Sequence, residues 1–146
     1  MPRIDASNRG TIEYDDEAVV EFPEGLPAFT EDTRFVLVER SESAPLIFMQ
    51  SLVHLELCFL TAPVVTIDAD YTLKTPREEL TPIGADEVRV EDLLCLAILT
   101  IPDNRPPTAN LMAPVVINRK TRRARQVIQY ESGYSFEHPL YPAKEA

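Results

Sequence analysis

Apolar residues occur along this chain mostly in short runs, each closed by proline, glycine or a group of charges. GTIEY (10–14) alternates apolar and polar residues, as a strand with one buried face does. AVVEF (18–22) follows and stops at Pro23. RFVLVER (34–40), LIFMQSL (46–52) and LCFLTA (57–62) are further strands, with VVTI (64–67) continuing the last after a bend at Pro63. NLMAPVVIN (110–118) and RQVIQYE (125–131) form two strands around a polar turn. FPEGLPAF (22–29) mixes two prolines and a glycine with apolar residues, the composition of an ordered loop, and PDNRPPT (102–108) is a second proline-rich loop.

Two segments suit a helix. In DADYTLKTPREELTPIG (68–84), Thr75 is placed as an N-cap, Pro76 at the first helical position and Glu78 as its capping partner, with the helix ending before Pro82. VRVEDLLCLAILTIP (88–102) fits a helix or a buried strand about equally, and strand is favoured after Leu94. About eight strands, one short helix and no strand–helix alternation predict an all-β, mainly antiparallel domain. The expected architecture is a small closed or partly open β-barrel, with a sandwich as the other solution. One domain should span 1–146, with a poorly ordered tail from about Pro139.

Composition sharpens this picture in two places. Thirteen prolines against four glycines disfavour long helices and leave little material for a phosphate-cradling loop. The net charge is −10, yet five of the 14 basic residues fall at Arg119, Lys120, Arg122, Arg123 and Arg125. Residues 1–118 carry a balance of −13, a background that repels a phosphate backbone and favours a basic partner. Around the basic run the only aromatic is Tyr130, whereas nucleic-acid binding on a sheet combines basic residues with stacking aromatics. A solvated hairpin tip is therefore expected at 119–125. The competing reading is a small β-barrel RNA-binding protein that uses this hairpin.

Catalytic and metal signals are thin. His54 and His138 lie in unrelated segments, and His54-x-Glu56 lacks the cysteine half of a deaminase signature. Asp68 and Asp70 have no further ligands at calcium-loop spacing. There is no nucleophile elbow, and the acidic pairs (Asp15-Asp16, Glu78-Glu79, Asp86-Glu87, Glu91-Asp92) read as exposed. Cys58 and Cys95 sit in apolar runs without a CxxC, as small buried hydrophobes. The N-terminus has no apolar signal core and no run reaches membrane-span length. The expectation is a cytoplasmic, non-enzymatic protein with no cofactor and no metal.

In their order and spacing, GTIEYDDEAVVEFPEGLPAF, RFVLVE, PLIFMQS, DADY, ILTIP, TANLMAPVVIN and RQVIQY resemble the bacterial flagellar assembly factor FliW family, from about Gly10 to Leu140. TANLMAPVVIN together with FPEGLPAF is the most specific part. Two departures stand out: the family usually has glycine where Ala28 and Ala124 stand, so the backbone is expected to differ locally at 26–30 and in the last hairpin. The resemblance implies a non-enzymatic regulator that binds flagellin. When free of flagellin it would bind CsrA, a small basic RNA-binding repressor of flagellin translation, and relieve repression allosterically. The chain is further expected to be a monomer when free, with no membrane association and no direct nucleic-acid contact. Resemblance and physics together place the partner surface on FPEGLPAF, PDNRPPTAN and the end of LIFMQS, that is on Phe22, Leu26, Phe29, Gln50, Ser51, Asn104 and Asn110. The alternative is that these loops close one end of the barrel.

Overall fold

The computed structural model describes residues 3–5, 10–84 and 92–140, and in it most of the apolar runs become strands. A separate antiparallel hairpin comes first, β1 (Arg3–Asp5) against β2 (Thr11–Glu13). Then follow β3 (Val19–Glu21), β4 (Arg34–Glu39), β5 (Ile47–Ser51), β6 (Cys58–Pro63) and β7 (Leu93–Thr100). The chain ends with β8 (Thr108–Ala109), β9 (Val115–Asn118), β10 (Arg123–Gln126) and β11 (His138–Pro139). β3 through β7 pair consecutively and antiparallel, β7 pairs with β9, and β9 pairs with β10. β10 then meets β3 and closes a seven-stranded barrel. That last contact is the weak point of the ring: it is parallel and consists of one residue pair, Arg123↔Glu21.

The period-two pattern decides what fills the ring. Val20, Phe35, Ile47, Met49, Leu96, Val115, Ile117 and Ala124 pack together as its core. The outer faces of β6, β7 and β9 are also apolar, because other segments cover them. Val64 and Leu111 pack over Ala62, Ala97 and Leu99, while Leu80 and Ile83 pack over Val116. Burial on both faces explains why LLCLAILT reads as a continuous apolar run.

The expected helix is a 3-10 segment, Arg77–Ile83. Pro76, not Thr75, occupies the cap position and makes no side-chain capping bond; the Thr75 hydroxyl is buried without a partner among the described residues. Seven residues with Pro82 among them cannot build an α-helical ladder, because Pro82 donates no amide. Gly84 ends the segment in the left-handed conformation. VVTI does not continue β6 but turns as a 3-10 segment, Val64–Thr66.

The last hairpin begins two residues earlier than expected, because the turn at 119–122 is tight. The Arg122 amide donates to the Asn118 carbonyl (2.7 Å), with Arg122 at φ 58. The left-handed residue of this hairpin is thus Arg122; Ala124 lies buried in β10 and needs no glycine. β10 stops short of residues 127–131. The amides of Val127 and Gln129 bond to the carbonyls of Pro114 and Met112, but Pro114 has no amide to return. β8 occupies residues read as loop, and β11 pairs with it at Pro139, where the tail was expected to begin. Residues 141–146, the rest of that tail, lie outside the described residues, as do 85–91, which include Asp86, Glu87, Glu91 and the first part of the 88–102 segment.

Candidate functional site

FPEGLPAF folds into two consecutive turns. The Gly25 amide donates to the Phe22 carbonyl, and Leu26 and Phe29 exchange backbone hydrogen bonds (3.1 and 2.7 Å) around Pro27-Ala28. Proline pre-sets the first central position of such a turn, and the second calls for positive φ. Ala28 adopts it, at φ 70, so this turn keeps the backbone that a glycine would supply.

The loop inserts part of itself and presents the rest. Phe22 and Leu26 are buried in the core of the barrel. Phe22 meets Phe35 edge-on (5.1 Å between ring centroids), Phe35 lies beside Phe59 (6.1 Å), and Phe59 meets Phe29 edge-on (5.5 Å). A row of four rings thus runs from the core to the surface, where Phe29 remains 38% exposed.

Phe29 stands at a cleft of about 500 Å3, lined by Ala28, Thr30, Glu31, Asp32, His54, Glu56 and Leu57 as well. Asp32 organises it. This carboxylate is 2% exposed and its Oδ1 accepts from Ser51 Oγ (2.6 Å) and His54 Nδ1 (2.9 Å). Ser51 Oγ in turn accepts from the amides of Val53 (3.1 Å) and His54 (2.9 Å). The buried Gln50 amide donates to the carbonyls of Leu55 (2.8 Å), Ser51 (2.9 Å) and Leu57 (3.3 Å). Gln50 and Ser51 therefore fix the 52–57 turn that carries His54 and Glu56 into the cleft.

Serine, aspartate and histidine are the residue types of an acyl-transfer triad, but the wiring differs. A triad needs the histidine on the serine oxygen. Here both bonds end on Asp32, and Ser51 is fully buried with its hydroxyl already committed. Among the described residues there is no cluster of three or more His, Cys, Asp or Glu side chains suited to a metal ion.

The cluster sets its own charge. The hydrogen bond to Asp32, then its charge, then those of Glu56 and Glu31, hold the His54 pKa above the ordinary 6.5, against a smaller opposing effect of desolvation. Burial pushes the Asp32 carboxyl up, but the bonds from Ser51 and His54 outweigh it and leave the group below the ordinary 3.8. A raised histidine stabilises the fold below its unfolded pKa and loses that contribution as pH rises through its folded value. A lowered carboxylate contributes above its unfolded pKa and loses this as pH falls through its folded value. The pair should therefore support the fold most between the two ordinary values. The stability difference between the chain and its His54→Gln variant, measured by urea unfolding, is expected to be largest near about pH 5 and to shrink above about pH 6.5. A difference that keeps growing above about pH 6.5 would contradict this wiring.

Of the residues expected at a partner surface, only Phe29 lies open on this cleft. Phe22, Leu26, Gln50 and Ser51 are buried, which corrects their placement on the surface: they position the loop and the turn. Asn104 is exposed in the 102–107 loop, and Asn110 Oδ1 accepts from the Ala113 amide (2.9 Å) to brace its own turn; neither lines this cleft. Asp32, His54, Glu31 and Glu56 were missed. Nothing local marks Asp32 as buried, since its partner Ser51 is 19 residues away.

The basic run proves to be partly tied down. Arg125 lies between Glu24 (3.3 Å) and Glu79 (3.0 Å), Lys120 is 3.7 Å from Asp92, and Arg122 donates to the Asp16 carbonyl (3.1 Å). These contacts fasten the hairpin to the FPEGLPAF loop, the 3-10 segment and the chain before β3. The aspartate-tyrosine pair of DADY also has internal work: Tyr71 stacks on Tyr134 (4.4 Å) and donates to the Leu111 carbonyl (2.7 Å).

The family described as FliW protein matches residues 3–140. A flagellar assembly factor FliW from Heliobacterium modesticaldum is 37% identical, over 97% of this chain and 92% of its own length. The protein of that name from Syntrophomonas wolfei is 34% identical, over 94% of this chain and 87% of its own. The crystal structure of a flagellar assembly factor FliW superposes with a TM-score of 0.85 at 30% identity, covering 99% of this chain and all of the other. Among the described residues, no helix is long and apolar enough to cross a membrane.

Proposed function

The chain belongs to the FliW family, and on that premise we propose that it is a flagellar assembly factor acting in the cytoplasm by binding proteins rather than by catalysis. It binds flagellin and, when free of flagellin, the translational repressor CsrA, whose hold on flagellin mRNA it loosens. The observation that carries this reading is the cleft at Phe29. A half-exposed aromatic ring, braced from behind by three others, stands beside three carboxylates that face a single imidazole. Such a surface suits a basic protein partner, with the ring as anchor and the charges guiding encounter. The doubly hydrogen-bonded loop is already in shape, so little ordering cost is added on binding. If CsrA loses RNA affinity on binding this chain, RNA must weaken that complex by the same factor.

The alternative, RNA binding by the basic hairpin, is disfavoured by the internal engagement of Lys120, Arg122 and Arg125. A gel shift with flagellin leader RNA separates the two. The chain alone should leave the RNA unshifted, and adding it to a CsrA–RNA complex should release the RNA. Arg122→Glu combined with Arg123→Glu should release RNA from CsrA as well as the unaltered chain does. A shift by the chain alone, abolished in the double variant, would establish the RNA reading instead.

A further inference from the structure

The loop that carries Phe29 is also one wall of a second cleft, of about 350 Å3, on its other side. Glu24, Gly25, Leu26, Pro27 and Thr30 form this wall, and residues 125–128 with Tyr130 form the opposite one. The cleft lies where β3 and β10 part. They pair only at Glu21↔Arg123; Phe22 continues the ladder on the β4 side by donating its amide to Thr33, and the chain then leaves β10 in the turn that the Gly25 amide closes on the Phe22 carbonyl.

Beyond Arg123, therefore, one edge of the chain has no strand beside it among the described residues. The amides of Val127 and Gln129 are spent on Pro114 and Met112. Since amides alternate in direction along an extended chain, those of Gln126 and Ile128 point the other way, toward the cleft. The Ile128 amide has no hydrogen-bond partner among the described residues. Ile128 is 44% exposed and Tyr130 80% exposed beside it. An open edge of this kind is a template for a further strand.

We propose that the 126–130 edge receives an extended peptide segment of a protein partner, added as a strand between it and the FPEGLPAF loop. The occupant is a segment of another protein and not a second copy of this chain, whose net charge of −10 opposes self-association. Charge favours a basic segment, because Glu24 and Glu79 present two carboxylates to the one guanidinium of Arg125. This inference goes beyond the reading above and does not require CsrA or flagellin to be the partner.

The test uses the full chain, isotope-labelled, and a synthetic peptide of about six residues that alternates valine with lysine and threonine, titrated by NMR. Shifts should concentrate at Gln126–Tyr130 and Leu26–Thr30. N-methylation of alternate peptide amides should abolish binding for one set and spare it for the other. Ile128→Pro removes an amide the fold does not use, so the variant should fold normally and lose binding at least tenfold, while Ile128→Ala loses no more than a few-fold. The proposal is overturned if no shifts appear at millimolar peptide or if both N-methylated sets behave alike. Loss of the fold in Ile128→Pro, or concentration-dependent dimerisation through this edge, would overturn it too. Failure here with CsrA binding intact would reject the strand site and leave the proposed function standing.

Discussion

Gly25→Ala should destabilise the chain by about 2–5 kcal/mol, combining about 1–2 for an alanine held in the left-handed region with about 1–3 for overpacking. Gly25 sits at φ 65, and a Cβ there would lie 2.6 Å from both the Thr30 Cα and its carbonyl oxygen and 2.7 Å from the Phe29 carbonyl oxygen. These are backbone atoms, and they cannot easily move aside. Leu26 and Phe29 are bonded to each other, and the same Phe29 carbonyl also accepts from the Asp32 amide (3.1 Å). Gly133 is the control, since its φ is 85 but a Cβ would meet nothing within 4 Å. Gly133→Ala should cost only about 1–2 kcal/mol. Equilibrium urea unfolding of both variants isolates the crowding. Equal losses would mean that the loop yields and is not held in shape before binding.

Phe29→Ala should leave the chain folded and weaken binding to CsrA or flagellin tenfold or more. Its ring contact with Phe59 is worth about 0.5–1.5 kcal/mol beyond buried area, a loss that a folded domain tolerates. An exposed aromatic ring held by neighbours is the kind of residue that dominates an interface, where truncation commonly costs about 2 kcal/mol or more. Calorimetric titration of the variant against each partner, beside its thermal unfolding, reads both quantities. Unfolding of the variant would return Phe29 to the core, and unchanged affinity for both partners would remove this cleft from the interface.

The barrel was legible because its signal is local. β4, β5 and β6 were read nearly to their ends, since alternating residues such as Phe35, Leu37, Ile47 and Met49 leave one face for the core. Misreadings arose where a distant partner decides. Pro114 removes one amide and thereby ends β10 on the neighbouring strand, and β8 is a strand because it pairs with the end of β7 on one side and with His138–Pro139 on the other. The loop FPEGLPAF was recognised as ordered, but which of its aromatics would face inward was not. Phe22 and Phe29 look alike in sequence, and only the direction of the chain leaving β3 separates the buried ring from the exposed one. Gln50 and Ser51 likewise gave no sign that they hold the turn beyond them. His54 reads in sequence only as an incomplete deaminase signature with Glu56, because its partner Asp32 is 22 residues away.

On the proposed function the chain exchanges CsrA for flagellin, and this exchange is read by titrating flagellin into a preformed complex of this chain with CsrA and following all three by size-exclusion chromatography with light scattering. CsrA should leave the complex in proportion to the flagellin bound, and the freed CsrA should recover its shift of flagellin leader RNA. A stable ternary complex that retains CsrA at saturating flagellin, or a chain that binds neither protein, would rule out the exchange.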